Sequence, residues 1–216
     1  MIRAYPETYL NDAMNNLGDM FDYAVVDCDF NAEDFFSRFV VSGVAEAFER
    51  GNPKYVAGLS GPELASTVVL RTGGIRLDKP ASENIDKSAE YWAGWSMAYY
   101  QWYTAGRFSA LQKNGLDMNC LLSLYNTLHE ADLSKFVTVA DGIVKRNRAN
   151  EISNLQRIRK ASGMTQKELS ESSGVSLRSI QKYEQRIMDI NKGQAIGLAN
   201  IARVLGCEVE DLLESE

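Results

Sequence analysis

The chain of 216 residues is poor in the residues that mark several protein classes. It has one histidine, His129, which excludes a multi-histidine metal site. Its three cysteines, Cys28, Cys120 and Cys207, lie far apart in sequence. They form no ligand-spaced pair, and their odd number argues against a disulfide framework. Four prolines among 216 residues leave few obligatory helix breaks. No run approaches the ~18 apolar residues of a membrane span. The opening MIRAYPETYLNDAM reaches polar and acidic groups too early for a signal peptide. These features lead us to expect a cytoplasmic, cofactor-free, largely helical protein that neither holds a metal nor enters a membrane.

Hydrophobic residues make up 45% of the chain and charged residues 24%, enough apolar matter to form a core. At roughly 150 residues per domain, the length fits one large domain or two small ones. The net charge of −6 is the wrong sign for a nucleic-acid binder, so its distribution matters more than its total. Residues 1–149 carry a net −5, and residues 150–216 a net −1. Within the second part, residues 157–186 hold seven basic groups against Glu168, Glu171 and Glu184, a local +4. Lys145, Arg146 and Arg148 precede this block, and five carboxylates follow in the last nine residues. The polar stretch KRNRANEISN, residues 145–154, is the expected passage between a domain of residues 1–149 and one of residues 150–216.

The first part has the 3.6-residue apolar period of helices. Tyr9, Leu10, Ala13, Met14, Leu17 and Phe21 form one stripe. Residues 32–50 are expected as one helix ending at Gly51. Ser60-Gly61-Pro62-Glu63 starts another, which runs to Thr72. Further helices are predicted over residues 82–103, 108–113, 118–130 and 132–148, with a short extended segment at 75–77. Residues 1–149 thus read as an all-α bundle. Trp92, Trp95, Tyr99 and Trp102 lie three, four and three residues apart on one helical stripe. A buried seam is the first reading of that stripe. A docking surface for a protein partner and a stacking site for a small ligand are the alternatives. His129 with Glu130 and Asp132 has the pattern of a helix end rather than of acid–base chemistry, and no constellation supports an enzyme.

The last sixty residues carry a more specific pattern. Thr165-Gln166-Lys167-Glu168 fits a capping box. The helix it opens presents Leu169 inward and stops at Gly174. Ser176 caps the next helix, residues 177–185, and Leu198, Ile201, Ala202 and Leu205 form a later stripe that ends at Gly206. Two short helices joined by a glycine-containing turn form a helix-turn-helix. Steps of 100° turn Leu177, Arg178, Gln181 and Lys182 outward, and Ile180 and Tyr183 toward the core. In a major groove, Arg178 would pair with guanine O6 and N7, and Gln181 with adenine. Thr165 and Ser179 would add hydroxyl contacts. A solvated helix face is the plainer alternative for Arg178 and Lys182. Leu177 is open between a thymine methyl and local packing, and Lys145–Arg148 between a flanking phosphate and a solvated helix end. Glu184 is expected to be structural.

Leu155-Gln-Arg-Ile-Arg159, Gly163-Met-Thr-Gln-Lys-Glu-Leu169, Gly174-Val-Ser176, Ile180, Tyr183-Glu184 and residues 198–206 together resemble the Xre type, the family of phage repressor and Cro DNA-binding domains. The resemblance covers about residues 152–213 and implies a five-helix, lambda-repressor-like domain. It also implies base reading by Leu177, Arg178 and Lys182 and a phosphate contact by Gln166, whose helix N-terminus favours anions. Members often carry glycine two positions after the glutamate of the Tyr-Glu pair. Here Arg186 stands in that place, inside a loop, residues 185–191, that would approach phosphates. The segment Ser42-Gly-Val-Ala-Glu-Ala-Phe-Glu-Arg-Gly-Asn-Pro53 and the tryptophan helix are similar to those of bacterial antitoxin-type Xre regulators. That similarity implies a repressor that neutralises a toxin protein; a repressor sensing a small molecule is the alternative. One module reads only a few base pairs, so a homodimer on double-stranded operator DNA is expected.

Overall fold

Several helix starts in this chain, at Asn31, Ser88, Asp117, Ser153, Thr165 and Ser176, are set by short polar side chains that take up free amides. The computed structural model describes residues 3–74, 76–82, 86–150 (149 and 150 by backbone alone) and 152–214, and every regular element among them is helical. The chain divides into two units, Met1–Lys145 and Arg146–Glu216.

In the first unit a 3₁₀ turn, Glu7–Tyr9, leads into α1 (Leu10–Asp22), which continues through a π-helical turn, Tyr23–Asp27. Asn31 then caps α2 (Ala32–Val41), its Oδ1 accepting from the Glu33 and Asp34 amides at 3.0 and 3.1 Å. The predicted helix over 32–50 is in fact two helices. Gly43 takes φ +76, a left-handed conformation that ends α2 and lets α3 (Val44–Glu49) leave in a new direction. The apolar period continues across this break, which is why it was invisible to a count of stripes. At Ser60 the expected start holds: Glu63 accepts from the Ser60 backbone amide at 2.9 Å, opening α4 (Gly61–Gly73).

The helix predicted to begin at residue 82 begins later. α5 spans Ala89–Thr104 and is capped by Ser88, whose Oγ accepts from the Tyr91 amide at 3.0 Å. Residues 76–82 have no regular structure, and residues 83–85 and Ile75 of the proposed extended segment lie outside the described residues. Polar anchors hold this stretch in place. The Tyr23 hydroxyl donates to the Lys79 carbonyl, and the Ser82 amide donates to buried Asp27 at 3.1 Å. α6 (Phe108–Lys113), α7 (Met118–Leu128) and α8 (Leu133–Asn150) follow near the predicted positions.

The core of the first unit is dominated by aromatic rings. Phe21 meets Phe35, Phe36 and Phe39 edge-on, with centroids 5.5 to 6.2 Å apart. Phe108 joins Phe39 and Phe48. Such geometry adds to area burial by aligning ring edges with ring faces. α1 and α5 approach closely through two glycines. A Cβ on Gly94 would stand 2.5 Å from the Leu17 carbonyl oxygen, and one on Gly18 would stand 2.8 Å from the Tyr91 ring. Backbone cannot yield as a flexible side chain can. Gly94→Ala should therefore destabilise the first unit by about 1–3 kcal/mol, read as a lowered thermal midpoint.

In the second unit, α9 (Asn154–Ala161), α10 (Gln166–Ser173), α11 (Leu177–Glu184), a 3₁₀ turn (Ile190–Lys192), α12 (Ala195–Leu205) and α13 (Val209–Leu212) enclose a small core. Leu155, Leu169, Ile180, Ile190, Leu198, Ile201 and Leu212 are buried in it. α9, α10 and α11 have eight residues each, too short to persist alone in water, so packing holds them. Among the described residues no helix is long and apolar enough to cross a membrane.

Candidate nucleic-acid interface

Three helices of the second unit are joined by one charged contact. Arg159 on α9 donates from Nε and Nη2 to the two carboxylate oxygens of Glu184, at 2.6 and 2.8 Å. Its Nη1 donates to the Met164 carbonyl at 2.6 Å, and Gln166 Nε2, at the start of α10, donates to Glu184 Oε2 at 2.8 Å. The Glu184 side chain is 1% exposed and that of Arg159 is 9% exposed. Glu184 raises the Arg159 pKa above its ordinary value through this hydrogen bond. Glu184 is thus structural, as expected, and it closes α11 by tying its last residue to α9 and to the first residue of α10.

The turn between α10 and α11 is fixed by hydroxyls and one glycine. Glu168 accepts from the Thr165 amide and hydroxyl, each at 2.8 Å, while Thr165 Oγ1 accepts from the Glu168 amide. Gly174 takes φ +73 and ends α10. Ser170 Oγ donates to the Val175 carbonyl at 2.7 Å, and Ser176 Oγ accepts from the Ser179 amide to start α11.

Once Ile180 and Glu184 are buried, the rest of α11 is oriented. Leu177 and Arg178 are exposed, and Ser179, Gln181 and Lys182 are half-buried. Among the described residues, the side chains of Arg178, Gln181 and Lys182 make no internal hydrogen bond or ion pair. The helix therefore presents a guanidinium, a carboxamide and an ammonium on one face, with no internal bond to break before they engage a ligand.

The other sequence-selected residues are already engaged. The Thr165 hydroxyl serves the capping box, and Ser179 Oγ lies 2.8 Å from Ser176 Oγ. Gln166 has one amide hydrogen on Glu184, which leaves its second hydrogen and its carbonyl oxygen. Arg186 is turned inward: its guanidinium donates to the Arg148 carbonyl and pairs with Glu214 at 2.8 Å. Sequence reading missed this Arg186–Glu214 contact and the convergence on Glu184, because their members lie 18 to 28 residues apart.

In the first unit, Trp92 and Trp102 are buried and Trp95 and Tyr99 are half-buried. Trp92 packs edge-on against Tyr125 and Phe136, and Trp102 Nε1 donates to the Tyr5 carbonyl at 2.8 Å. The stripe is mainly a core seam, and α5 also buries residues on its other faces. His129 caps the end of α7, with Nδ1 2.8 Å from the Tyr125 carbonyl. A cavity of about 480 Å³ is lined by polar groups that include Glu46, Glu49, Arg50 and Arg107. There the Phe108 amide donates to Glu49, whose pKa burial raises.

Residues 155–212 match the Helix-turn-helix family. No curated protein and no solved structure matches the chain. The fold is all-α, with a helical N-terminal region followed by a C-terminal helix-turn-helix domain. That domain is of the DNA-binding type found in transcription regulators.

Removing one member of the buried pair would strand the other. Glu184→Ala should destabilise the second unit by about 3–5 kcal/mol, whereas Arg159→Met with Glu184→Leu should cost much less. Amide exchange in α10 and α11 reads both outcomes.

Proposed function

We propose that the protein is a sequence-specific transcriptional repressor that binds operator DNA as a homodimer, with α11 in the major groove. The observation that carries this reading is the unengaged Arg178–Gln181–Lys182 face of a helix whose opposite face is locked by Ile180 and Glu184. Arg178 has the reach and fork geometry for guanine, and Gln181 the paired donor and acceptor for adenine. Leu177, 37% exposed at the helix start, would meet a thymine methyl in this reading. Gln166 offers its second amide hydrogen to a phosphate beside the α10 N-terminus. Thr165 and Ser179 add hydroxyl oxygens at the two helix starts. Arg186 contributes through the loop it anchors.

For the first unit we infer a protein partner, in the manner of an antitoxin that neutralises a toxin. Support comes from the motif similarity of residues 42–53 and from the acidic balance of residues 1–149, which suits a basic partner. The cavity beside Glu49 is polar, unlike the apolar pocket that a sensor built around residues 92–102 would need. Half-buried Trp95 and Tyr99 are the members of the aromatic stripe that retain surface for such a partner.

Selection from a random duplex pool with the full chain, followed by binding measurements, tests the DNA reading. Arg178→Ala and Lys182→Ala should each weaken the selected site by about 1–3 kcal/mol and relax its sequence preference. Gln166→Ala should weaken all duplexes alike. Undiminished selective binding by the Arg178→Ala, Lys182→Ala double variant would remove α11 from the interface.

A further inference from the structure

The loop that leaves α11 departs from the pattern of the domain it resembles, and the structure shows what compensates. Arg186 stands where glycine is often found, and its backbone keeps the glycine-like geometry, with φ +54. An L side chain is strained there. The turn is nonetheless formed: the Ile187 and Met188 amides both donate to the Lys182 carbonyl, at 2.9 and 3.1 Å. Its apolar tip is held out in solvent, Ile187 being 69% exposed.

One residue, Glu214, holds both ends of this loop. At the near end its Oε2 accepts from Arg186 Nη2 at 2.8 Å. At the far end its backbone pairs twice with the Asn191 side chain: Asn191 Nδ2 donates to the Glu214 carbonyl at 2.8 Å, and the Glu214 amide donates to Asn191 Oδ1 at 2.9 Å. Its other carboxylate oxygen accepts from the Asn154 amide at 2.8 Å, and Asn154 Nδ2 donates to the Leu213 carbonyl at 2.6 Å. The carboxylate is thereby anchored on the start of α9 while it grips the arginine. A free loop of this size would sample many conformations, and each would have to be given up on binding.

We propose that Glu214 is a positioning residue for DNA binding: by clamping Arg186 and Asn191 it presets the loop that follows the recognition helix, without touching DNA itself. This rests on the DNA reading above. The sign of one substitution separates the clamp from plain electrostatics. A carboxylate near a DNA-binding surface repels phosphates, so on charge alone its neutralisation would tighten binding. The clamp requires the opposite.

The test uses the full chain and the duplex that wild type selects. Glu214→Gln keeps an oxygen for the Asn154 amide and loses the charge that grips Arg186. Its affinity for the selected duplex should fall roughly fivefold, as for loss of one partly buried ion pair. Glycine adopts the left-handed turn unaided, so in an Arg186→Gly background the same substitution should change affinity less than about twofold. Independently of DNA, the Ile187 and Met188 amides should exchange faster in Glu214→Gln. Equal or tighter binding by Glu214→Gln, an undiminished loss in the Arg186→Gly background, or unchanged exchange at these two amides would each overturn the clamp. Failure of wild type to select any duplex would sink the DNA reading instead, and the exchange measurement would still decide whether the clamp exists.

Discussion

The pairing of Arg159 with Glu184 is the constraint on which the geometry of the proposed DNA-binding face depends. Both charges lie in the interior of a small domain, where each is costly unless all its hydrogen-bonding capacity is met. The Met164 carbonyl adds a third acceptor for Arg159, and the Gln166 carboxamide a third donor for Glu184. Together these bonds tie α9, α10 and α11 to one another. A slip of α11 by one residue would break the three hydrogen bonds that Glu184 accepts and leave its buried charge unmatched. The pair therefore specifies how the helices are arranged more than it adds to net stability. The apolar core, with Leu155, Leu169, Ile180 and Ile201 fully buried, supplies the attraction.

The outward face of α11 follows from that inward one. Ile180 and Glu184, four residues apart, occupy one side of the helix, so Arg178, Gln181 and Lys182 are placed on another. Among the described residues neither Arg178 nor Lys182 has an acidic partner, and this is how an acidic chain presents a locally basic surface. Arg186 is the counterexample: a cation in the same block that sequence alone groups with the others, but whose charge is taken up by Glu214. The basic count of residues 157–186 thus overstates what faces solvent, since Arg159 and Arg186 are both committed inside the domain.

What was legible in the sequence was local. The Thr165–Glu168 box, the helix start at Ser60–Glu63 and the stop at Gly174 are each written in a few neighbouring residues, and the structure follows them. The helix over residues 108–113 was equally readable. Where apolar periodicity ran on through a break, reading failed: Gly43 divides the expected helix 32–50, and α5 starts at Ala89 because Ser88, not Ser82, supplies the cap. Long-range partnerships left no sequence signal. Nothing in Arg159, Gln166 and Glu184 separately says that they meet, and nothing in Arg186 announces a partner 28 residues away. The tryptophan stripe shows the limit of helical periodicity as well. It located a seam, but α5 is buried on several sides, so one stripe could not say which rings keep contact with solvent.

The central claim is that the free face of α11 touches bases. Its most direct measurement is a magnetic-resonance titration of the full chain with the duplex it selects, following backbone amides and the Arg178 guanidinium. The account predicts the largest shifts at residues 177–182 and a slowed, resolved Arg178 side chain, with the core amides of Leu155 and Ile201 little changed. Shifts confined to residues 1–145, or an Arg178 signal identical with and without the duplex, would contradict it.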